Sequence, residues 1–164
     1  KHKKKIKIFY EKKLLGTAQT VFRNRKFLDK NDSLIIHADN FCADNLKKLV
    51  LFHRKRPKKC CMTMMTFSCS EPRLYGIVEI NDSGIVKKMH EKSRKPPSNI
   101  ANTAIYIVSK KFFKDIKKIK KLKNISTDVI PFFLGKIFTY HTKKPFFDIG
   151  SLKYLKKANE LSKK

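Results

Sequence analysis

The run Ser33-Leu34-Ile35-Ile36-His37-Ala38-Asp39-Asn40 decides the architecture. Its first five residues form a short apolar stretch and read as a buried strand. Ala38, Asp39 and Asn40 then stand at the strand's C-terminal end, where open α/β sheets put ligand-binding groups. A helix should follow. Asp44 is placed to cap it, from Asn45 to about Phe52, with Leu46, Leu49 and Val50 on one apolar stripe.

The rest of the chain repeats this alternation. Cys60 to Phe67 (CCMTMMTF) reads as a second buried strand. Gly76 to Ile80 and Ile85 to Met89 flank Asn81-Asp82-Ser83-Gly84, a turn signal that predicts a hairpin. A proline-containing loop, Ser93 to Ser98, leads to the strand Ala104 to Val108, and Ser109 caps a lysine-rich helix with Phe112, Phe113, Ile116 and Ile119 facing inward. Ser126 or Thr127 opens a short helix through Leu134. Lys136 to Tyr140 reads as a strand, and Ser151 caps a last helix carrying Leu152, Leu155 and Leu161. Strands, helices and a hairpin in this order predict one α/β domain over residues 1–164 with a mixed sheet. No repeat or linker divides it.

Composition narrows the function. Forty Lys and Arg against thirteen Asp and Glu give a formal net charge of +27. The excess is nearly all lysine and is dispersed from Lys3–Lys5 to Lys143–Lys144, beside abundant Ile, Asn and Phe. That pattern fits a bias in amino-acid usage, and arginine forks suited to reading bases are scarce, so no specific nucleic-acid partner is expected. Cys42, Cys60, Cys61 and Cys69 lack metal-site spacing and read as reduced thiols of a cytoplasmic protein. No apolar run approaches the roughly 20 residues that span a bilayer, and the basic start Lys1 to Lys7 precedes no signal-peptide core. No membrane association is expected.

Several polar residues can carry chemistry, each with a plainer alternative. Asp39 is a turn or helix cap, or a metal ligand. Asp148, in Phe146-Phe147-Asp148-Ile149-Gly150-Ser151, is equally open, and two such carboxylates can share a magnesium ion whose other positions go to phosphate and water. Glu91-Lys92 offers an acceptor beside a donor, or an exposed ion pair. Asn102, after Asn99-Ile100-Ala101, bonds a hydroxyl or closes a turn. Gly16-Thr17-Ala18 lets a ligand approach the backbone. His37, His53 and His90 have no triad-like partner and read as structural.

Taken in order, these pieces resemble the sugar-1-phosphate nucleotidyltransferases: Glu11-x-x-Leu14-Leu15-Gly16-Thr17-Ala18, Ile36-His37-Ala38-Asp39-Asn40, Thr63-Met64-Met65-Thr66, Tyr75-Gly76-Ile77-Val78-Glu79, Glu91-Lys92, Asn99-Ile100-Ala101-Asn102, Ser126-Thr127-Asp128-Val129-Ile130-Pro131 and Asp148-Ile149-Gly150-Ser151. The wording around Asp39 and Met64 is most similar to the mannose- and heptose-1-phosphate guanylyltransferases. The resemblance implies a Rossmann-like nucleotidyltransferase fold in which a sugar-1-phosphate oxygen attacks the α-phosphorus of a nucleoside triphosphate, here GTP, and pyrophosphate leaves. It implies that Asp39 and Asp148 bind Mg2+, that Glu91 and Asn102 hold the sugar and Lys92 its phosphate, that Gly76 admits the sugar to the backbone, and that Gly16 and Thr17 lie near the base.

Two departures from the family pattern stand out. Gln19 replaces a second glycine, and no glycine-rich phosphate loop occurs in the first thirty residues. The expectation is therefore a domain lacking its first βα segment. An inactive or regulatory homologue that binds a sugar phosphate or a protein partner is the alternative function.

Overall fold

The computed structural model describes residues 6–163; the basic start Lys1–Lys5 lies outside the described residues. After an irregular stretch come two short helices, α1 (Thr17–Arg23) and α2 (Arg25–Leu28), then β1 (Ser33–Ile36), β2 (Asn40–Cys42) and α3 (Leu46–Arg54). The middle of the chain is β3 (Met62–Ser68), the hairpin β4 (Gly76–Ile80) and β5 (Val86–Glu91), and the long strand β6 (Ile100–Val108). α4 (Lys110–Asp115), a wide turn over Ile125–Val129, α5 (Ile130–Phe132), β7 (Ile137–His141), β8 (Phe146–Asp148) and α6 (Leu152–Ser162) complete the order.

The main sheet is mixed, as expected. β3 lies between β6, antiparallel to it, and β7, parallel to it. On its other side β6 pairs with β1 through its C-terminal half and meets β4 at the single pair Ile77–Ala101. Both faces of the sheet are covered, which is why β3 is buried along almost its whole length. The two-residue period of β6 divides the core: Tyr106 and Val108 pack with Phe112, Phe113, Val129 and Ile130, while Ile105 and Ile107 pack on the opposite face with Leu49, Phe67 and Phe146. The hairpin turns through Gly84, whose φ of +72° suits glycine.

Four local expectations are corrected. Ser33–Ile36 is half-buried rather than buried, with Leu34 and Ile36 each 41% exposed, because β1 pairs only with β6 among the described residues. Asn45 caps α3, its side chain accepting from the Lys47 N–H, while the Asp44 carboxylate accepts from the Tyr140 hydroxyl at 3.1 Å. Leu49 and His53, not Val50, form the buried face of α3. Ser151 does cap α6 through the Tyr154 N–H, but Leu152 and Leu155 stay exposed and Ala158 is the residue buried there.

Candidate functional site

Two carboxylates more than a hundred residues apart in sequence meet through a ribbon that local patterning does not announce. β2 and β8 pair antiparallel, with Asn40 opposite Asp148 and Phe41 opposite Phe147. The facing rings stack at 6.0 Å, and the Ile149 N–H donates to the Asp39 carbonyl at 2.8 Å. Asp39 and Asp148 thus stand on neighbouring backbones, both exposed. One oxygen of Asp148 accepts from the Gly150 N–H at 2.9 Å, which orients the carboxylate and leaves its second oxygen free of that bond.

These residues line one side of a cleft of about 280 Å³. The hairpin supplies the other side. Gly76 lies opposite Glu91, and a Cβ built on Gly76 would stand 2.7 Å from Glu91 Oε2 and closer still to the Met89 methyl. The absence of a side chain at Gly76 therefore leaves room for the Glu91 carboxylate. Lys92 follows, its N–H donating to the Tyr75 carbonyl at 3.2 Å with φ at +46°. Asn102 enters from β6, where the strand bulges: Ala104 adopts φ +58°, and Thr103 bonds the Met65 carbonyl across the irregularity. Lys92 and Ala104 are the two non-glycine residues with positive φ among the described residues, and both line this cleft. Such strain concentrates where a ligand site demands a fixed backbone.

Thr17 reaches the cleft from α1. Its hydroxyl accepts from the Ile125 N–H at 3.0 Å, and the Ala18 N–H donates to the Lys123 carbonyl, so the start of α1 is pinned to the 123–125 segment. Asp128 holds that segment in turn, accepting from the N–H groups of Lys123 and Asn124, bonds that keep its carboxyl below the usual range. Gly16 is not among the lining residues. A Cβ there would stand 2.5 Å from the Lys123 carbonyl oxygen, so its φ of +92° and missing side chain serve packing against that backbone.

Seven of the eight anticipated residues, Thr17, Asp39, Gly76, Glu91, Lys92, Asn102 and Asp148, therefore line one cleft. Other residues line it that were not anticipated as site residues, His37, Asn40 and Tyr106 among them. His37 lines the cleft with a buried Nε2 that has no hydrogen-bond partner among the described residues. Asn40 is anchored by its amide to the Thr103 carbonyl at 2.7 Å. Tyr106 contributes a fully buried ring whose hydroxyl accepts from Asn102. Burial pushes the Tyr106 phenol up, with the Glu91 charge adding to the rise against the Asn102 bond; burial pushes that of Tyr75 up to about 12, so both stay protonated. The period of β6 places Asn102 and Tyr106 on one side of the strand, a signal available to sequence reading; the β2–β8 pairing had none.

The charge of the cleft opposes that of the chain. Three of its lining residues are carboxylates, Asp39, Glu91 and Asp148, against one lysine, Lys92. Among the described residues no group of three or more His, Cys, Asp or Glu is placed to hold a metal ion. The two hard-oxygen donors on the β2–β8 ribbon are nevertheless the number that Mg2+ takes from a protein when phosphate and water complete its shell.

Comparison with known proteins gives the family and the fold. The family model described as nucleotidyl transferase matches residues 1–164. A glucose-1-phosphate adenylyltransferase of Clostridium botulinum (strain Alaska E43 / Type E3) is 28% identical over 155 residues, covering 88% of this chain and 40% of that protein. One of Mycoplasma mobile is 25% identical, covering 88% and 41%. The chain thus spans about two fifths of the length of these curated relatives. A Bacillus anthracis protein assigned as a glucose-1-phosphate thymidylyltransferase, solved in complex with sucrose, superposes with a TM-score of 0.80 at 24% identity, covering 93% of this chain and 63% of that one. HddC from Yersinia pseudotuberculosis complexed with GMP-PN gives 0.74 at 25%, covering 94% and 65%.

Proposed function

The chain belongs to the nucleotidyl transferase family, and from that premise we propose that its cleft joins a nucleoside triphosphate to a sugar-1-phosphate, releasing pyrophosphate. The observation that carries the reading is the inverted charge: in a chain of net charge +27, three carboxylates and a single lysine share one small cleft. A cleft for bare phosphate would be basic. One with paired carboxylates beside a lysine suits a phosphate that arrives with a divalent cation.

In the proposed reaction a sugar-phosphate oxygen bonds to the α-phosphorus and the bond to the β-phosphate oxygen breaks, with the electron pair leaving on pyrophosphate. Bound Mg2+ would neutralise phosphate charge as it develops, and Asp39 and Asp148 would hold it. The remaining residues position. Glu91, seated over Gly76, accepts from sugar hydroxyls. Asn102 offers an amide to the same sugar. Lys92, with its backbone bonded to Tyr75, turns its ammonium to the sugar's phosphate. Thr17 borders the end of the cleft next to Ser126, where the base would lie. Chemistry of this kind is mostly positioning and charge stabilisation, which such an arrangement supplies without a protein nucleophile.

Guanine is the base we assign, on the wording His37-Ala38-Asp39-Asn40 and on the likeness to the HddC chain with its guanine nucleotide. The four unpaired cysteines suit a reducing, cytoplasmic setting, and no helix of the described residues is long and apolar enough to cross a membrane. The test is pyrophosphate release from each of the four common nucleoside triphosphates with mannose-, glucose- or heptose-1-phosphate, with and without Mg2+. In a protein that carries a glycine-rich phosphate segment ahead of this chain, Asp39→Asn and Asp148→Asn should each lower Mg2+-dependent turnover by at least about 10²-fold with unchanged circular dichroism, since both side chains are exposed. Near-native activity in either variant would reduce that aspartate to a turn residue.

A further inference from the structure

Asn102 is held from two ends. Its Oδ1 accepts from the Ala104 N–H at 2.9 Å, and its Nδ2 donates to the Tyr106 hydroxyl at 2.7 Å. The Ala104 N–H can only donate, so the amide oxygen must face it, and the nitrogen must then face Tyr106. The Ala104 bond exists because the backbone there takes φ +58°, and the Tyr106 ring is fixed because it is 1% exposed in the core beneath the cleft. One Nδ2 hydrogen and one lone pair of Oδ1 remain unspent by these bonds.

We propose that Tyr106 is a positioning residue for the sugar side of the cleft: its buried hydroxyl fixes the Asn102 amide in the single orientation that presents an N–H donor to a sugar-phosphate ligand. This rests on the proposed reading of the cleft. The hydroxyl accepts from Asn102, which leaves its own proton for a second acceptor. Glu91 is the acidic residue among the cleft's lining whose charge bears on the phenol. Tyr106 acts through its bond to Asn102 without itself being the sugar's ligand. The strained Ala104 then has a use, because without the bulge its N–H would point into the sheet ladder and one end of the amide would be unheld.

The experiment is titration calorimetry of the unaltered chain, Tyr106→Phe, Asn102→Ala and the double variant, each with mannose-1-phosphate, glucose-1-phosphate and, separately, inorganic phosphate, in Mg2+. Tyr106→Phe keeps the ring and removes one hydrogen bond, so Kd for the sugar phosphates should rise about 2- to 12-fold while Kd for inorganic phosphate stays put. In the double variant the tyrosine change should add nothing to Asn102→Ala, because its effect passes through the amide. Equal weakening of phosphate and sugar phosphate would mark a general loosening of the core and overturn the proposal. So would full additivity, or an unchanged sugar-phosphate Kd in Tyr106→Phe. If the unaltered chain binds none of the sugar phosphates, the reading of the cleft itself has failed and this inference falls with it, an outcome visible before any variant is made.

Discussion

Gly76→Ala puts the geometry of the cleft under direct strain. The added methyl would stand 2.7 Å from Glu91 Oε2, so the carboxylate must retreat by about 0.7 Å to reach the 3.4 Å at which ordinary contact begins. The Met89 methyl must also move. Both are ends of flexible side chains on β5, and neither is backbone, so the strand pairing can survive. Overpacking costs about 1 kcal/mol at its mild end, and replacing a strand glycine returns roughly 0.5 to 1 kcal/mol, leaving stability within about 1 kcal/mol of the parent. Recognition should suffer more, because displacing a positioning group by about 1 Å can cost 10²-fold. We expect sugar-phosphate affinity, measured by calorimetry in Mg2+, to fall about 10- to 100-fold while the thermal midpoint shifts by only a few degrees. Unchanged affinity at unchanged stability would refute the reasoning, since it would show that the carboxylate's seat over Gly76 has no bearing on the ligand.

Two further outcomes follow from other strained or buried groups. His53 is 1% exposed, its Nδ1 lies 2.7 Å from Thr63 Oγ1, and its Nε2 is 3.4 Å from Asp32, within ion-pair range but without hydrogen-bond geometry. Burial, reinforced by Arg56, outweighs Asp32 and lowers its pKa from 6.5 to about 4. A depressed histidine pKa favours the neutral form in the folded state, so its contribution is full above pH 6.5 and is lost as pH falls towards 4, on the order of 3 kcal/mol in all. Urea midpoints at pH 7 and 4.5 should therefore converge in His53→Gln, and an equal drop in that variant would sink the assignment. Ala104→Gly should stabilise the fold by about 0.5 to 1 kcal/mol, because a left-handed L-residue costs about 1 to 2 kcal/mol and glycine's added chain entropy only part of that. A loss on chemical denaturation would show that the Ala104 methyl's packing outweighs its strain.

What could be read in advance was whatever depends on near neighbours. The turn Asn81 to Gly84 carries its own geometry, and β3 carries an apolar run that only a doubly covered strand tolerates. Ser33–Ile36 failed as a buried strand because apolarity says nothing about how many partners a strand finds; β1 found β6 alone among the described residues. Asp44 and Asn45 are both competent caps, and tertiary context chose between them: the Tyr140 hydroxyl, from the far end of the chain, engages Asp44 and leaves Asn45 to cap α3. The leucines of α6 have helical spacing, yet Leu152 remains 76% exposed because spacing specifies a face without specifying a surface to meet it.

The candidate site was legible as an ordered set of residues and illegible as geometry, and the difference has a physical cause. Asp39 and Asp148 are each ambiguous because an aspartate after a strand satisfies turn chemistry as readily as metal chemistry. Their juxtaposition depends on one three-residue ribbon, whose register is held by Phe41 stacked on Phe147 and by Phe147 stacked in turn on Tyr154 of α6 at 5.7 Å. A slip of one residue would turn every side chain of β8 to the other face and carry the Asp148 carboxylate away from Asp39. Phe147 would then lose both ring partners. The aromatic ladder therefore does for Asp39 and Asp148 what the Ala104 bulge and the Tyr106 hydroxyl do for Asn102: it fixes a polar group that has too few bonds of its own to hold its place. In this chain the side chains assigned to the ligand are exposed or half-buried, and apolar and backbone contacts set their positions.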